Sequence, residues 1–237
     1  MSEQLDLRKR IVLDLKKSKG LEGQVASVIL VLDKSGSMSN LYKNGFVQRL
    51  VERVLPVGLG FDDDGEVELY VFHSSAFRHK TNISRGTLSS IVPDVIKQYG
   101  YEATEYANPI KLILDQWIGP KTAGFLGMGS KTRPSKKLLN PLYVIFVTDG
   151  ENSDKSETEE VLREASNYPI FFQFVGIGNE RFNFLRKLDD LSGRVLDNAN
   201  FFQANDLDRM TDEDLYDKLM TEFPDFIQNV RSKGWIS

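Results

Sequence analysis

Apolar residues in this chain fall into short continuous runs that alternate with segments of helical spacing. The two most apolar runs are VILVL, which precedes Asp33, and PLYVIFV, which precedes Thr148 and Asp149. Runs of this length that end in turn residues predict strands buried on both faces. Strands that alternate with amphipathic helices predict an α/β fold. We therefore expect a Rossmann-like, doubly wound, mostly parallel six-stranded sheet with helices on both faces.

The same pattern predicts where the individual elements lie. Pro56 is expected to kink or end one helix and Pro224 to stop another, while Ser156 and Glu159 fit a capping box at the start of a third. Strands are predicted near residues 24–32, 67–71, just after 73, 141–149, 169–175 and 199–204. Helices are predicted near residues 5–15, 47–55, 84–98, 110–117, 156–165, 182–191, 207–223 and 226–230.

One domain is expected, flanked by short terminal segments. Residues 1–20 are predicted to form an amphipathic helix or arm, residues 21–223 the domain, and residues 224–237 a short helix and tail. Residues 119–137 interrupt the pattern with four glycines, two prolines and an excess of positive charge. Such a segment predicts a mobile basic insertion, and it lacks the lysine that a phosphate-binding loop would require at Ser130.

Composition excludes several classes of function. The chain has 30 basic and 34 acidic residues, so its net charge of −4 offers no large basic surface for nucleic acid. It has no cysteine, which excludes disulfides, thiol catalysis and cysteine metal sites. No apolar stretch is long enough to span a membrane, and no signal sequence opens the chain. A cytoplasmic protein without a transmembrane segment is the expectation.

Polar side chains follow both of the most apolar strands. Asp33, Ser35 and Ser37 come directly after the first of them, and Asp149 comes after the second. Ligands of open α/β sheets bind outside the carboxyl ends of the strands, where strand order reverses. If the two strands are neighbours there, two carboxylates and two hydroxyls converge. An all-oxygen set of this kind suits a hard cation such as Mg2+.

Other candidate sites have simpler interpretations. His73 and His79 flank a predicted hairpin, but no third ligand accompanies them at metal-binding spacing, so we interpret both as structural or surface residues. The three aspartates at positions 62–64 lack the alternating ligands of a calcium loop and are interpreted as a solvated turn.

Three separated segments resemble von Willebrand factor type A (VWA) domains. DKSGSMS matches the Asp-x-Ser-x-Ser motif of that family, Thr104 matches its loop threonine, and Thr148-Asp149-Gly150 matches its second aspartate. The resemblance extends over about residues 24–223. Within the family, LYKNGFVQRLVERVLP, FDDDGEVELYVF and VTDGEN are most similar to the TerF-like domains of bacterial tellurium-resistance and stress-response clusters.

The resemblance implies a metal-ion-dependent adhesion site (MIDAS). Its ligands would be Asp33, Ser35, Ser37, Thr104 and Asp149, and its ion Mg2+, with Mn2+ or Ca2+ as substitutes. A protein partner, for which other tellurium-resistance proteins are candidates, would offer an Asp or Glu carboxylate to the ion. The expected function is therefore binding rather than catalysis. The alternative is a Mg2+-dependent phosphotransferase or phosphatase that uses Asp33 as its nucleophile.

Overall fold

A computed structural model of the protein describes residues 2–62, 65–122, 133–134, 138–204, 206–207 and 209–236. Within these residues six strands and nine helices are formed. The strands are β1 (Ser27–Asp33), β2 (Glu68–Phe72), β3 (Ala76–Arg78), β4 (Leu142–Thr148), β5 (Ile170–Ile177) and β6 (Ala199–Ala204). The helices are α1 (Ser2–Ser18), α2 (Ser39–Lys43), α3 (Phe46–Phe61), α4 (Ile91–Gln98), α5 (Ala107–Trp117), α6 (Lys155–Ala165), α7 (Asn183–Asp189), α8 (Asp212–Leu219) and α9 (Phe223–Ser232).

The six strands form one sheet in the order β3-β2-β1-β4-β5-β6. Every neighbouring pair is parallel except β2 and β3, which form an antiparallel hairpin. The predicted α/β architecture is confirmed. The strands that precede Asp33 and Asp149 are adjacent at the centre of the sheet, with Leu32 beside Val147. Chain order reverses on either side of this pair, so the predicted switch point lies between β1 and β4.

Helices cover both faces of the sheet, so β1, β4 and β5 are buried on both sides. Leu30 and Leu32 of β1 face a core shared with α1, α3, α4, α8 and α9. Ile29 and Val31 face a second core shared with α5, α6 and α7. None of the helices in the described ranges combines the length and apolar character that crossing a bilayer would take.

The helix that contains Pro56 runs through it instead of ending there. Proline lacks the N–H that would bond to the carbonyl of Glu52, four residues earlier. Arg8 of α1 replaces that donor, since its Nη1 lies 3.3 Å from the Glu52 carbonyl oxygen. The break instead comes earlier, where Gly45 adopts a φ of 77° and separates α2 from α3.

Three helix boundaries differ from the prediction for local reasons. The helix predicted over residues 84–98 begins only at Ile91, because the hydroxyl of Thr87 bonds to Ser84 N and to the Asn82 carbonyl and holds turns there. The predicted helix 207–223 is reduced to α8, which Thr211 caps at its start. Pro224 lies in the first turn of α9, where a missing N–H costs nothing, so the prediction that it stops a helix is wrong.

Parts of two predictions lie outside the described residues. Residues 123–132 and 135–137 of the predicted insertion, and two of the three consecutive aspartates, belong to this part of the chain. The mobility of residues 119–137 and the domain boundaries therefore stay predictions. Within residues 119–137, the described Arg133 has a buried side chain that pairs with Asp115 and Glu164.

Candidate metal centre

Three loops meet at the carboxyl edge of β1 and β4. The loop after β1 carries Ser35 and Ser37, the loop before α5 carries Thr104, and the loop after β4 begins at Asp149. Backbone hydrogen bonds join them: Gly36 N donates to the Glu102 carbonyl over 3.0 Å, and Ser153 N donates to the Thr104 carbonyl over 3.0 Å. The sheet and these bonds fix the relative positions of all three loops.

Asp33 is the deepest residue of the cluster and is completely buried. Its Oδ1 accepts a hydrogen bond of 2.7 Å from Ser35 N, and its Oδ2 accepts one of 2.6 Å from Thr148 Oγ1. Burial raises the pKa of the Asp33 carboxyl to about 6, and the nearby Asp149 charge adds to this, while the hydrogen bonds from Ser35 and Thr148 oppose it. Ionisation of Asp33 therefore lowers the stability of the folded chain.

The second carboxylate is tied to the first through two hydroxyls. Ser37 Oγ donates to Asp149 Oδ1 over 2.7 Å, and the Ser35 and Ser37 hydroxyl oxygens are 3.1 Å apart. Burial also raises the pKa of Asp149, which the Ser37 hydrogen bond counteracts and the charge of Glu180 increases. Asp33, Ser35, Ser37 and Asp149 thus lie in one hydrogen-bonded cluster, as the sequence predicted.

Thr104 is beside this cluster but is held by its backbone. Its carbonyl oxygen accepts hydrogen bonds from Ser153 N and Ser153 Oγ, and the carbonyl of Glu102, two residues earlier, accepts one from Gly36 N. Among the described residues the Thr104 hydroxyl takes part in no hydrogen bond. It is thus the one predicted ligand that does not share a hydrogen bond with the others.

Two tyrosines that sequence reasoning missed hold the site from behind. The Tyr106 hydroxyl lies 3.0 Å from Thr148 Oγ1 and also donates to the Gly150 carbonyl. The Tyr42 hydroxyl donates to the Asp33 carbonyl over 2.9 Å. Both rings are buried. Their sequence signal was only an aromatic residue near a predicted ligand, which is too common to single out.

Asp154 anchors the Thr104 loop and was also missed. Its two carboxylate oxygens accept hydrogen bonds from the backbone N–H groups of Tyr106 and Ala107, at 3.0 and 2.7 Å. These N–H groups at the start of α5 have no acceptor within their own helix, so Asp154 caps a helix that is distant in sequence.

The capping box predicted at Ser156 and Glu159 is wrong because α6 begins at Lys155, which places Ser156 inside the helix. An acidic residue just before that helix was the available signal.

Lys34, between two predicted ligands, points away from the cluster. Its side chain is completely buried, with its ammonium 3.0 Å from the centre of the Tyr101 ring and 5.0 Å from that of Tyr42. Removal from water lowers the pKa of Lys34 to about 8. Its Nζ makes no hydrogen bond to any described atom, so the aromatic faces are its main electrostatic partners.

The two histidines are structural, in agreement with the sequence interpretation. His73 and His79 are both buried, and they flank β3. The ring of His79 contacts Tyr99, and the ring of His73 contacts Phe77. The Nδ1 atom of His73 lies 3.2 Å from a carboxylate oxygen of Glu102. In the described part of the chain no three His, Cys, Asp or Glu side chains group as metal ligands. A cation at the cluster would therefore depend on hydroxyls as well as on two carboxylates.

Three solved structures, one of them a VWA domain, share this fold. The VWA domain of SpRpn10 aligns with a TM-score of 0.52 at 9% identity, over 82% of this chain and 95% of that one. An aerotolerance-related membrane protein from Bacteroides fragilis aligns with a TM-score of 0.51 at 17% identity, over 84% and 99%. Proximal thread matrix protein 1 from the mussel byssus aligns at 0.53 and 15%, over 86% of this chain, which spans only 47% of the mussel protein.

Sequence comparison identifies the family. The uncharacterized protein YcbR of Bacillus subtilis (strain 168) is 35% identical over an alignment of 234 residues, which covers 97% of this chain and 89% of YcbR. The sequence model described as "vWA-TerF-like: vWA found in TerF C terminus" matches residues 25–236. Because this match spans most of the chain and includes all three loops of the site, the protein belongs to the TerF-like family of VWA domains.

Proposed function

We propose that the protein is a metal-ion-dependent interaction module. Mg2+ would be held by Asp33, Ser35, Ser37, Thr104 and Asp149, with Mn2+ or Ca2+ as substitutes. The observation that carries this proposal is the convergence of two carboxylates and two hydroxyls, from neighbouring strands, in one hydrogen-bonded cluster.

The charges of the cluster fit a divalent cation. Burial raises the pKa of both carboxyls, and the charges of Asp149 and Glu180 add to the effect on Asp33 and on Asp149 respectively. No cationic side chain offsets either effect among the described residues. A divalent ion would supply the missing positive charge and favour ionisation of both groups. With only two carboxylates, the site would neutralise the ion without excess negative charge.

The cluster is accessible from one side only. Asp33 and Ser35 are buried, whereas Gly36 and Ser37 are exposed and Asp149 is partly exposed. An ion bound there would be open to solvent on the Ser37 and Asp149 side, where Mg2+ commonly keeps water or an external oxygen ligand. A carboxylate of a protein partner is the external ligand that the adhesion-site resemblance implies.

The family suggests a biological setting for this function. The family is defined by the domain at the C terminus of TerF. We extend the proposal to a cytoplasmic tellurium-resistance or stress-response complex, with other proteins of that system as partners. The hard oxygen ligands support a role in assembly, because they do not suit direct tellurium chemistry.

The alternative, phosphoryl transfer through Asp33, is less consistent with the geometry. Asp33 is completely buried, and both of its carboxylate oxygens already accept hydrogen bonds. Ser35 occupies the position at which aspartyl-phosphate enzymes usually carry a second acid. Lys34, the nearest lysine in sequence, lies under Tyr101 and is not directed at a phosphoryl group.

Calorimetric titration with Mg2+ and Mn2+ tests the site directly. The unaltered chain should bind one ion, Asp149→Ala should abolish this binding with little change in fold, and Asp33→Ala should do the same. Asp225→Asn, an exposed acid in the first turn of α9, is the matched control and should bind normally. Unchanged metal affinity in Asp149→Ala would refute the assignment. Phosphatase turnover that Asp33→Asn removes would favour the enzyme instead.

A further inference from the structure

The outer face of α1 carries one carboxylate between two cations. Glu3, Leu7, Arg10, Asp14 and Lys17 recur at intervals of three or four, so they form a single stripe along the helix. All five are exposed, and the Leu7 side chain keeps 59% of its surface in water. Asp14 forms no ion pair within the described chain, although Arg10 and Lys17 lie one turn to either side.

The opposite face of α1 holds the helix firmly on its own chain. Val12 is completely buried, and Lys16 Nζ donates to the carbonyls of Gln24 and Gly60 over 2.8 and 2.6 Å. Gln24 precedes β1, so this end of α1 lies at the amino edge of the sheet. The candidate metal centre is at the carboxyl edge. Asp14 therefore cannot reach the centre of its own chain.

Acidic side chains surround the opening of the candidate metal centre. The backbone carbonyl of Glu102 accepts the hydrogen bond from Gly36 N, Glu151 is two residues beyond Asp149, and the charge of Glu180 acts on the Asp149 carboxyl. All three are exposed. Glu151 pairs with Lys155, whereas Glu102 and Glu180 have no lysine or arginine partner within the described ranges.

This opening favours a carboxylate that arrives with cations beside it. A bare acidic segment would be repelled by Glu102 and Glu180, whereas Arg10 and Lys17 would complement them. Exposed aromatic surface adjoins the opening at Tyr101, which is 37% exposed. Exposed leucines adjoin Asp14 on α1, so apolar surface is available on both sides.

We propose that the occupant of the centre is a second copy of this chain, whose Asp14 supplies the carboxylate ligand. The inference rests on the proposed metal-dependent function. The two surfaces are different patches of the chain, so the contact is head-to-tail and generates open chains of molecules. One helix stripe makes a small interface, and the association is accordingly transient.

Sedimentation velocity of the full chain tests this without knowledge of any other partner. With Mg2+, the average mass should rise between low micromolar and submillimolar protein, and a chelator should return it to that of a monomer. Asp14→Asn should remove the concentration dependence, whereas the control Asp225→Asn should retain it. Mg2+ alone is the probe, and calorimetry on the same samples reports whether the ion binds.

A mixing experiment separates this arrangement from a symmetric dimer. Asp149→Ala keeps Asp14 but lacks the centre, and Asp14→Asn keeps the centre but lacks the ligand. Each variant should be monomeric alone, and their mixture should form dimers and nothing larger.

Two results would overturn the inference. One is a chain that binds Mg2+ yet stays monomeric, which leaves the proposed function intact. The other is an assembly that Asp14→Asn does not affect. A chain that binds no Mg2+ would instead refute the proposed function itself, and the inference with it.

Discussion

Replacing Asp33 with asparagine should stabilise the metal-free protein while destroying the candidate metal centre. The substitution keeps the size of a completely buried side chain and removes its charge. The hydrogen bonds of the side chain can persist, because Ser35 N still donates to the amide oxygen, and the Thr148 hydroxyl can accept from the amide N–H and donate to Tyr106. The variant therefore isolates the cost of the carboxylate charge.

The size and sign of the effect follow from the pKa of Asp33. This pKa is about 6 in the folded chain, whereas its usual value is 3.8. Between these two pH values the folded state therefore keeps a proton that the unfolded state has released. The free energy of unfolding should fall by about 3 kcal/mol as pH rises through that window. Above it, the full cost of the ionised carboxylate is present in the native protein and absent from Asp33→Asn.

Urea unfolding in the presence of a chelator measures this difference. Between about pH 4.5 and pH 7.5, the stability of Asp33→Asn relative to the native chain should rise by about 2 kcal/mol. The variant is the proper reference because Asp189 and Glu222, whose pKa values burial raises to about 6 and about 7, titrate in both proteins.

The response to Mg2+ should differ between the two proteins. The ion should stabilise the native chain at neutral pH, less so at acid pH, and should leave Asp33→Asn unaffected. Asp225→Asn, which removes an exposed carboxylate on α9, controls for the change in net charge. A stability difference that is the same at both pH values would refute the reasoning, because the buried carboxylate would then carry no unfavourable charge.

Three further substitutions test the supports of the site and of the fold. Tyr106→Phe should lower stability by about 1 kcal/mol through loss of its bonds to Thr148 and Gly150, and should weaken Mg2+ binding measured by calorimetry. Asp154→Ala should cost about 2 kcal/mol in urea unfolding by leaving two N–H groups of α5 without their acceptor; an unchanged midpoint would contradict the capping role. Arg53→Met should lower the free energy of unfolding by about 3 kcal/mol, because Asp212, whose carboxylate pairs with both Arg8 and Arg53, would lose one of its two partners. A loss no greater than that caused by replacing an exposed arginine would contradict this role.

The sheet and the ligands were predictable because their signals are local and strong. Continuous apolar runs predicted β1, β4 and β5, and the carboxylates at the carboxyl ends of β1 and β4 predicted that Asp33 and Asp149 would be neighbours. Strand adjacency followed from a general rule of α/β topology rather than from any detail of this chain. Thr104 came from the family resemblance, and its loop position was confirmed, but its role as a ligand stays a proposal.

The supports of the site depend on contacts that no local pattern encodes. Asp154 caps α5 from a position 47 residues away in sequence, and Tyr106 bonds to Thr148 from a different loop. Helix boundaries failed for a related reason. Apolar spacing does not show that Thr87 bonds to its own turn, or that Pro224 occupies a position where no N–H is required.

The contacts of α1 mean that the limits of the family-model match are not the limits of the folding unit. That match begins at residue 25, yet an arginine and a lysine side chain before it satisfy carbonyl oxygens of α3, at Glu52 and at Gly60. A fragment that begins at residue 25 would lack Arg8, so the Glu52 carbonyl of α3, which Pro56 leaves without its helical donor, would lose its hydrogen bond. The apolar surface that Val12 covers would also be exposed to water. Preparations of this domain should therefore retain the first helix, even though the family description leaves it out.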